Sequence, residues 1–139
     1  GMLPEDVRAY VAASKAACGL TIGFHGHDNL AMGVANAIAA FEAGAGIIDA
    51  SLKGLGRSEG NTVTEVFAAI MQRRGMLKDI DVNALLDIGE AFVAPLLHEP
   101  RRSALGITLG RAKFHSSFLA RVMSAATRHG VDVRELILR

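Results

Sequence analysis

A helix-rich α/β fold is predicted by three features of this sequence. Two short apolar runs, LTIGFHGH at 20–27 and IIDASL at 47–52, alternate with helix-period segments between residues 4 and 74. Strands alternating with amphipathic helices of this length are parallel and joined by crossovers. After Gly75 every periodic segment is helical. Two regions are therefore expected, residues 2–74 with strands and helices and residues 75–139 with helices alone.

The elements follow in order. PEDVRAYVAASKAAC, from Pro4, opens with a proline and two acids and sets Val7, Tyr10, Val11 and Ser14 on one stripe. Gly19 closes it, and the first strand follows. Asp28 or Asn29 is the expected cap of a second helix, in which Leu30, Val34, Ile38 and Phe41 recur at helical spacing. The Gly44–Gly46 turn leads into the second strand. A glycine-rich loop, GLGRSEGN, precedes TVTEVFAAIMQRRG, where Thr62 and Glu65 have capping-box spacing and Val63, Val66, Phe67, Ile70 and Met71 form the stripe. DVNALLDIGEAFVAP reads as a helix with Val82, Leu85, Leu86, Phe92 and Val93 inward, stopped by Pro95. HEPRRS, 98–103, reads as a linker. A long helix is expected over 112–129, with Phe114, Phe118, Val122 and Met123 along one face and Gly130 as its stop. Asp132 is the expected cap of a short last helix. Two parallel strands leave both sheet edges without partners, so further chain must cover them.

Composition narrows the function. The 139 residues carry 15 basic and 14 acidic side chains, a formal net charge of +1, without charge blocks. Neither nucleic acid nor a membrane surface is favoured by that balance. Aromatic residues are 5% with no tryptophan, which disfavours a base-stacking surface. No apolar run approaches the roughly 20 residues of a membrane span, and the N-terminus does not read as a signal peptide. The lone Cys18 excludes an internal disulfide, fits a reducing, cytoplasmic setting, and reads as a small buried side chain. Gly1 before Met2 reads as the remnant of a removed tag, with Met2 the expected native start.

The stretch GFHGHDN, 23–29, holds two of the five histidines. In an extended strand residues i and i+2 share a face, so His25 and His27 project together from the C-terminal end of a parallel strand, where such folds place their chemistry. Two neutral imidazoles on one side suit a divalent metal, with a carboxylate from elsewhere completing the set. The alternative is a pair of hydrogen-bonded loop histidines without a ligand.

The surroundings favour the first reading. The pattern H-G-H-D-N-L at 25–30, V-A-N at 34–36, E-A-G at 42–44, I-D-A-S-L at 48–52, and G-L-G with G-N at 54–61 resembles the pyruvate-aldolase branch of the metal-dependent lyases. That group includes 3-hydroxy-3-methylglutaryl-CoA lyase and isopropylmalate synthase. ITLGRAKFHSSFLARVMSAATRHGVDVRELI, at 107–137, is similar to the helical C-terminal segment of the 4-hydroxy-2-oxovalerate aldolases, a communication-type domain. The resemblance implies a partial TIM barrel, its last two strands with their helices, followed by that helical segment.

It further implies that His25 and His27 are the two histidine ligands of a divalent metal, typically Mn²⁺. Asn61 becomes a further ligand or an outer-shell residue, against a plain helix-entry role. Asp49 and Ser51 would face the barrel interior, where a satisfied polar layer is the favoured account of them. Gly54, Gly56 and Gly60 would let backbone pass close to a substrate. His115 stands where the family has an active-site tyrosine before S-S-F, and it is the expected catalytic proton carrier. Arg57 and Glu59 put charge where those aldolases carry small residues. The carboxylate ligand, the pyruvate-binding arginine and a histidine base belong to the preceding half of the barrel. The isolated chain is therefore expected to be inactive in cleaving a 4-hydroxy-2-oxo acid. Expected partners are an acylating aldehyde dehydrogenase, a separate barrel half, or further copies in a homo-oligomer; the other reading is a non-catalytic binding or oligomerisation module.

Overall fold

The computed structural model describes residues 1–97 and 103–139. Its first half is built as the alternation predicts: α1 (Pro4–Ala17), β1 (Gly23–His25), α2 (Gly33–Glu42), β2 (Ile47–Asp49) and α3 (Thr64–Arg73). The two strands pair in parallel, with Gly23 opposite Ile47, Phe24 opposite Ile48 and His25 opposite Asp49. Strand alternation then divides the faces. Phe24 and Ile48 pack with Met2, Ile22 and Ala43 against a buried cluster of Val7, Val11, Ala39, Ala40 and Ala45. Ile47, His25 and Asp49 lie on the other, exposed face.

Several apolar stripes differ from expectation. On α1 only Val7 and Val11 are buried, whereas Tyr10 is 69% exposed. On α2, which begins at Gly33 and so excludes Leu30, small residues carry the packing. Ala37, Ala39 and Ala40 are buried, while Phe41 stays exposed. Small side chains let α1 and α2 approach closely, which leaves the larger residues at the rim. Val66 on α3 is likewise exposed. Cys18, expected inside, is exposed just beyond the end of α1, where no other element covers it.

The capping box at Thr62 is not formed. Thr62, fully buried, donates from Oγ1 to the Gly33 carbonyl at 3.2 Å. Glu65, also buried, accepts the Lys53 backbone N–H on both carboxylate oxygens, at 2.9 and 3.0 Å. Both side chains tie loops together. Asp28 does serve the start of α2, accepting the Gly33 N–H at 2.7 Å.

The second half is helical, but segmented. Instead of one helix stopped by Pro95, α4 (Val82–Ile88) runs into a π-helical turn (Gly89–Val93) and a 3₁₀ turn (Ala94–Leu96) that includes Pro95. Leu86 and Phe92 are exposed rather than inward. The expected linker, 98–103, lies outside the described residues except for Ser103. The helix expected over 112–129 starts only at Leu119, as α6 (Leu119–His129), and a helix not expected from the periodicity, α5 (Ala104–Arg111), precedes it. Between them Lys113 adopts φ +51°, and a 3₁₀ turn covers Ser116–Phe118. Phe118 and Met123 are exposed. Gly130, at φ +63°, ends α6, and Asp132 caps α7 (Val133–Ile137) as predicted. Among the described residues no helix is long and apolar enough to cross a membrane.

Candidate metal centre

Beyond β1 the chain continues extended, and His27 forms an antiparallel bridge with Asn61. Backbone bonds from Asp28 N to Gly60 O (2.9 Å) and from Thr62 N to Gly26 O (3.0 Å) fix this register. Paired bridge residues present their side chains to the same side. His25, His27, Asp49 and Asn61 are thereby gathered at one end of the strand pair. The two imidazole rings meet edge to face, with centroids 5.0 Å apart.

Each ring has a partner on Nδ1. His27 Nδ1 lies 3.2 Å from the Gly60 carbonyl oxygen. A carbonyl only accepts, so the proton of that bond sits on Nδ1 and Nε2 keeps its lone pair. His25 Nδ1 is 3.5 Å from Asp49 Oδ2, in the exposed part of the site. Burial holds the His27 pKa below the ordinary imidazole value, and the charges of His25 and Arg57 push the same way. His27 is therefore a neutral ring at neutral pH, the form that binds metal.

Asn61 is held from below. Its Nδ2 donates to the Leu55 carbonyl at 3.0 Å, while Oδ1 is buried without a hydrogen-bond partner. A Cβ at Gly56 would stand 2.5 Å from Asn61 Nδ2. Glycine at 56 thus makes room for the amide, a role more definite than access for a substrate. Ser51 is spent locally, donating to the Leu55 carbonyl at 2.7 Å.

His115 reaches the same neighbourhood from the other half of the chain. A cavity of about 200 Å³ is lined by His27, Asn29, Ser58, Lys113, Phe114 and His115. His115 Nδ1 accepts the Ser117 N–H at 3.3 Å and is also bonded to the Ser117 hydroxyl. That fixes the other tautomer, with the proton on Nε2. Among the described residues no three His, Cys, Asp or Glu side chains converge as a metal-holding group.

Asn29 and Glu59 clasp this loop through bonds that the sequence does not predict. Asn29 Nδ2 donates to Ser58 Oγ (3.0 Å) and to the Gly106 carbonyl (3.1 Å). Glu59, 4% exposed, accepts from the backbone N–H and hydroxyl of Ser103, at 3.2 and 2.6 Å. The available signal was the charge of Glu59 at a position where relatives were expected to carry a small residue.

These features agree with what the chain is similar to. The HMGL-like family profile matches residues 1–92. A 4-hydroxy-2-oxovalerate aldolase of Azotobacter vinelandii is 46% identical over 140 residues, covering 99% of this chain and 40% of the relative. The solved N-terminal domain of an aldolase candidate from Bacteroides vulgatus superposes with TM-score 0.65 and 35% identity, over 70% of this chain and 32% of that one. An HMG-CoA lyase from Acinetobacter baumannii, solved with coenzyme A and 3-methylmalate, gives TM-score 0.62 and 29% identity over 75% of this chain and 36% of that one. This chain spans about 40% of the length of the curated relatives it matches. With the family profile matched over residues 1–92, about two thirds of its length, the chain belongs to the HMGL-like family.

Proposed function

We propose that this chain is the C-terminal portion of a divalent-metal-dependent aldolase that cleaves a 4-hydroxy-2-oxo acid to pyruvate and an aldehyde. The observation that carries this reading is the state of the two imidazoles. His27 has an acceptor on Nδ1, which leaves its Nε2 lone pair for a cation, and His25 stands beside it with Asp49 3.5 Å from its own Nδ1. The orphaned Asn61 Oδ1 adds a hard oxygen donor on the strand bridged to His27. Imidazole nitrogen and amide oxygen suit Mn²⁺, so His25, His27 and Asn61 fit the ion in donor type. Completion of the set falls to a carboxylate outside the described residues.

When bound, a divalent cation supplies Lewis acidity toward a carbonyl oxygen. The chain's own groups do the rest. Gly60 and Asp49 orient the two rings, and burial keeps His27 unprotonated. His115, with its proton on Nε2, is suited to donate at the cavity it shares with His27. The 139-residue chain is expected to cleave 4-hydroxy-2-oxopentanoate in Mn²⁺ no faster than a metal-only blank. Turnover clearly above that blank would overturn the claim that the preceding half is needed.

A second reading is favoured by the exposed apolar side chains Leu86, Ile88, Phe92 and Leu96 around the π-helical turn. This surface suits docking on an acylating aldehyde dehydrogenase, on a separate barrel half, or on a further copy of the chain. Light scattering is expected to give a mass above the 14.6 kDa of one chain. A clean monomer would remove the homo-oligomer.

A further inference from the structure

We infer that Glu59 is a positioning residue for the His27 imidazole, acting through the Gly60 carbonyl. The inference rests on the metal reading above for its purpose, and on geometry for its content. Residues 57–60 form a tight turn, closed by Gly60 N donating to the Arg57 carbonyl at 3.0 Å, with Ser58 at φ +58° and Gly60 at φ +91°. The Gly60 carbonyl that leaves this turn receives both the Asp28 N–H and His27 Nδ1. Whatever fixes the turn therefore fixes the acceptor that sets the His27 tautomer.

Glu59 fixes it from the far side. Its carboxylate holds the backbone and hydroxyl of Ser103, whose Oγ in turn accepts the Gly106 N–H at 3.0 Å as the cap of α5. Asn29, two residues past His27, ties Ser58 to the Gly106 carbonyl. A Cβ at Gly106 would lie 1.6 Å from Glu59 Oε1, so the helix admits the carboxylate only because that position is glycine. Burying a carboxylate costs too much for a plain surface turn unless its bonds do something. Here they lock the turn beneath the histidine to a helix that arrives some 44 residues later in the chain.

The test reads the tautomer directly, by side-chain nitrogen–proton correlation spectra of the metal-free 139-residue chain at pH 8. His27 is expected as the pure Nδ1–H form. In Glu59→Ala its signals should move toward the Nε2–H form that free imidazole prefers, and Mn²⁺ affinity should fall about tenfold. Glu59→Gln keeps an acceptor oxygen and should retain the Nδ1–H form. Ser103→Ala removes one anchor with less risk to folding and should shift the tautomer in the same direction. A tautomer unchanged in both Glu59→Ala and Ser103→Ala overturns the inference. So does an equal shift in Asp132→Ala, which loosens α7 away from the loop. Because the spectra need no metal, a tautomer shift in a chain that takes up no Mn²⁺ would sustain the positioning role while removing the metal reading.

Discussion

Carboxylates do the same job in both halves of this chain, but under opposite conditions. In the first half Glu65 and Glu59 are buried, at 3% and 4% exposure, and accept backbone N–H groups across long stretches of sequence. In the second half Asp81 and Asp132 are exposed and accept N–H groups three and two residues away. A buried acceptor holds a donor that has lost its water, so its removal leaves an unsatisfied group. An exposed cap competes with solvent, which takes its place when it is lost. The first half is therefore tied by buried polar bonds between distant segments, one of which reaches Ser103 of the second, and the second half is otherwise ordered by local caps on helices that bury little. Leu109, Ala126 and Ile137 are the only buried large or small hydrophobics described beyond residue 75.

The sharpest way to break this comparison is Glu65→Ala. Lys53, whose N–H Glu65 receives twice, sits at φ +54°, a region that side-chain-bearing residues enter at a cost. A Cβ at Gly89 would come 2.8 Å from Glu65 Oε1, and Lys53 Nζ pairs with Glu90 at 2.5 Å. The same carboxylate thus steadies the loop after β2 and the seat of the π-helical turn. Its loss is expected to destabilise the chain by about 2–3 kcal/mol, read as a lowered urea midpoint at unchanged slope. Glu65→Gln, which can still accept, should lose less. A midpoint shift worth under about 1 kcal/mol for the alanine variant would mean that burial does not separate the two kinds of carboxylate.

What was legible in the sequence follows the same division. The strand–helix alternation, the parallel pairing and the common face of His25 and His27 depend on short-range periods, and the structure has them. The HMGL-like membership followed from motifs around those elements. Long-range contacts were not legible. ALGITLGR carries two glycines, which weaken a helical signal, yet Gly106 and Gly110 are the close-approach positions against Glu59 and Leu30. Thr62 and Glu65 had the spacing of a cap, but each bonds a distant segment instead. Stripes through Tyr10, Val66, Leu86 and Phe92 gave the helical period correctly and the buried face incorrectly. Periodicity reports that a helix has an apolar side; what covers that side depends on neighbours. Asn61 could be singled out from its place after the glycine loop, while its orphaned Oδ1 and its seat under Gly56 needed the fold.

The exposed caps make a smaller, pH-dependent prediction. Asp132 receives the Arg134 guanidinium, Nη2 to Oδ2 at 2.5 Å, and the Arg134 backbone N–H at 2.8 Å. These bonds, the guanidinium's foremost, bring its pKa down to about 2. A carboxyl whose pKa is depressed in the folded state adds stability above its unfolded value, near 4, and loses it as pH falls through the folded value. The α7 turn should therefore stay intact down to about pH 4 and fray progressively between about pH 4 and pH 2. Arg134 amide and Nε–H resonances should report that fraying. In Asp132→Asn the amide still caps but holds no charge, so this acid step should vanish. If the Arg134 signals titrate identically in the variant, the helix end is governed by something other than this carboxylate. The second half would then need a source of order beyond its local caps.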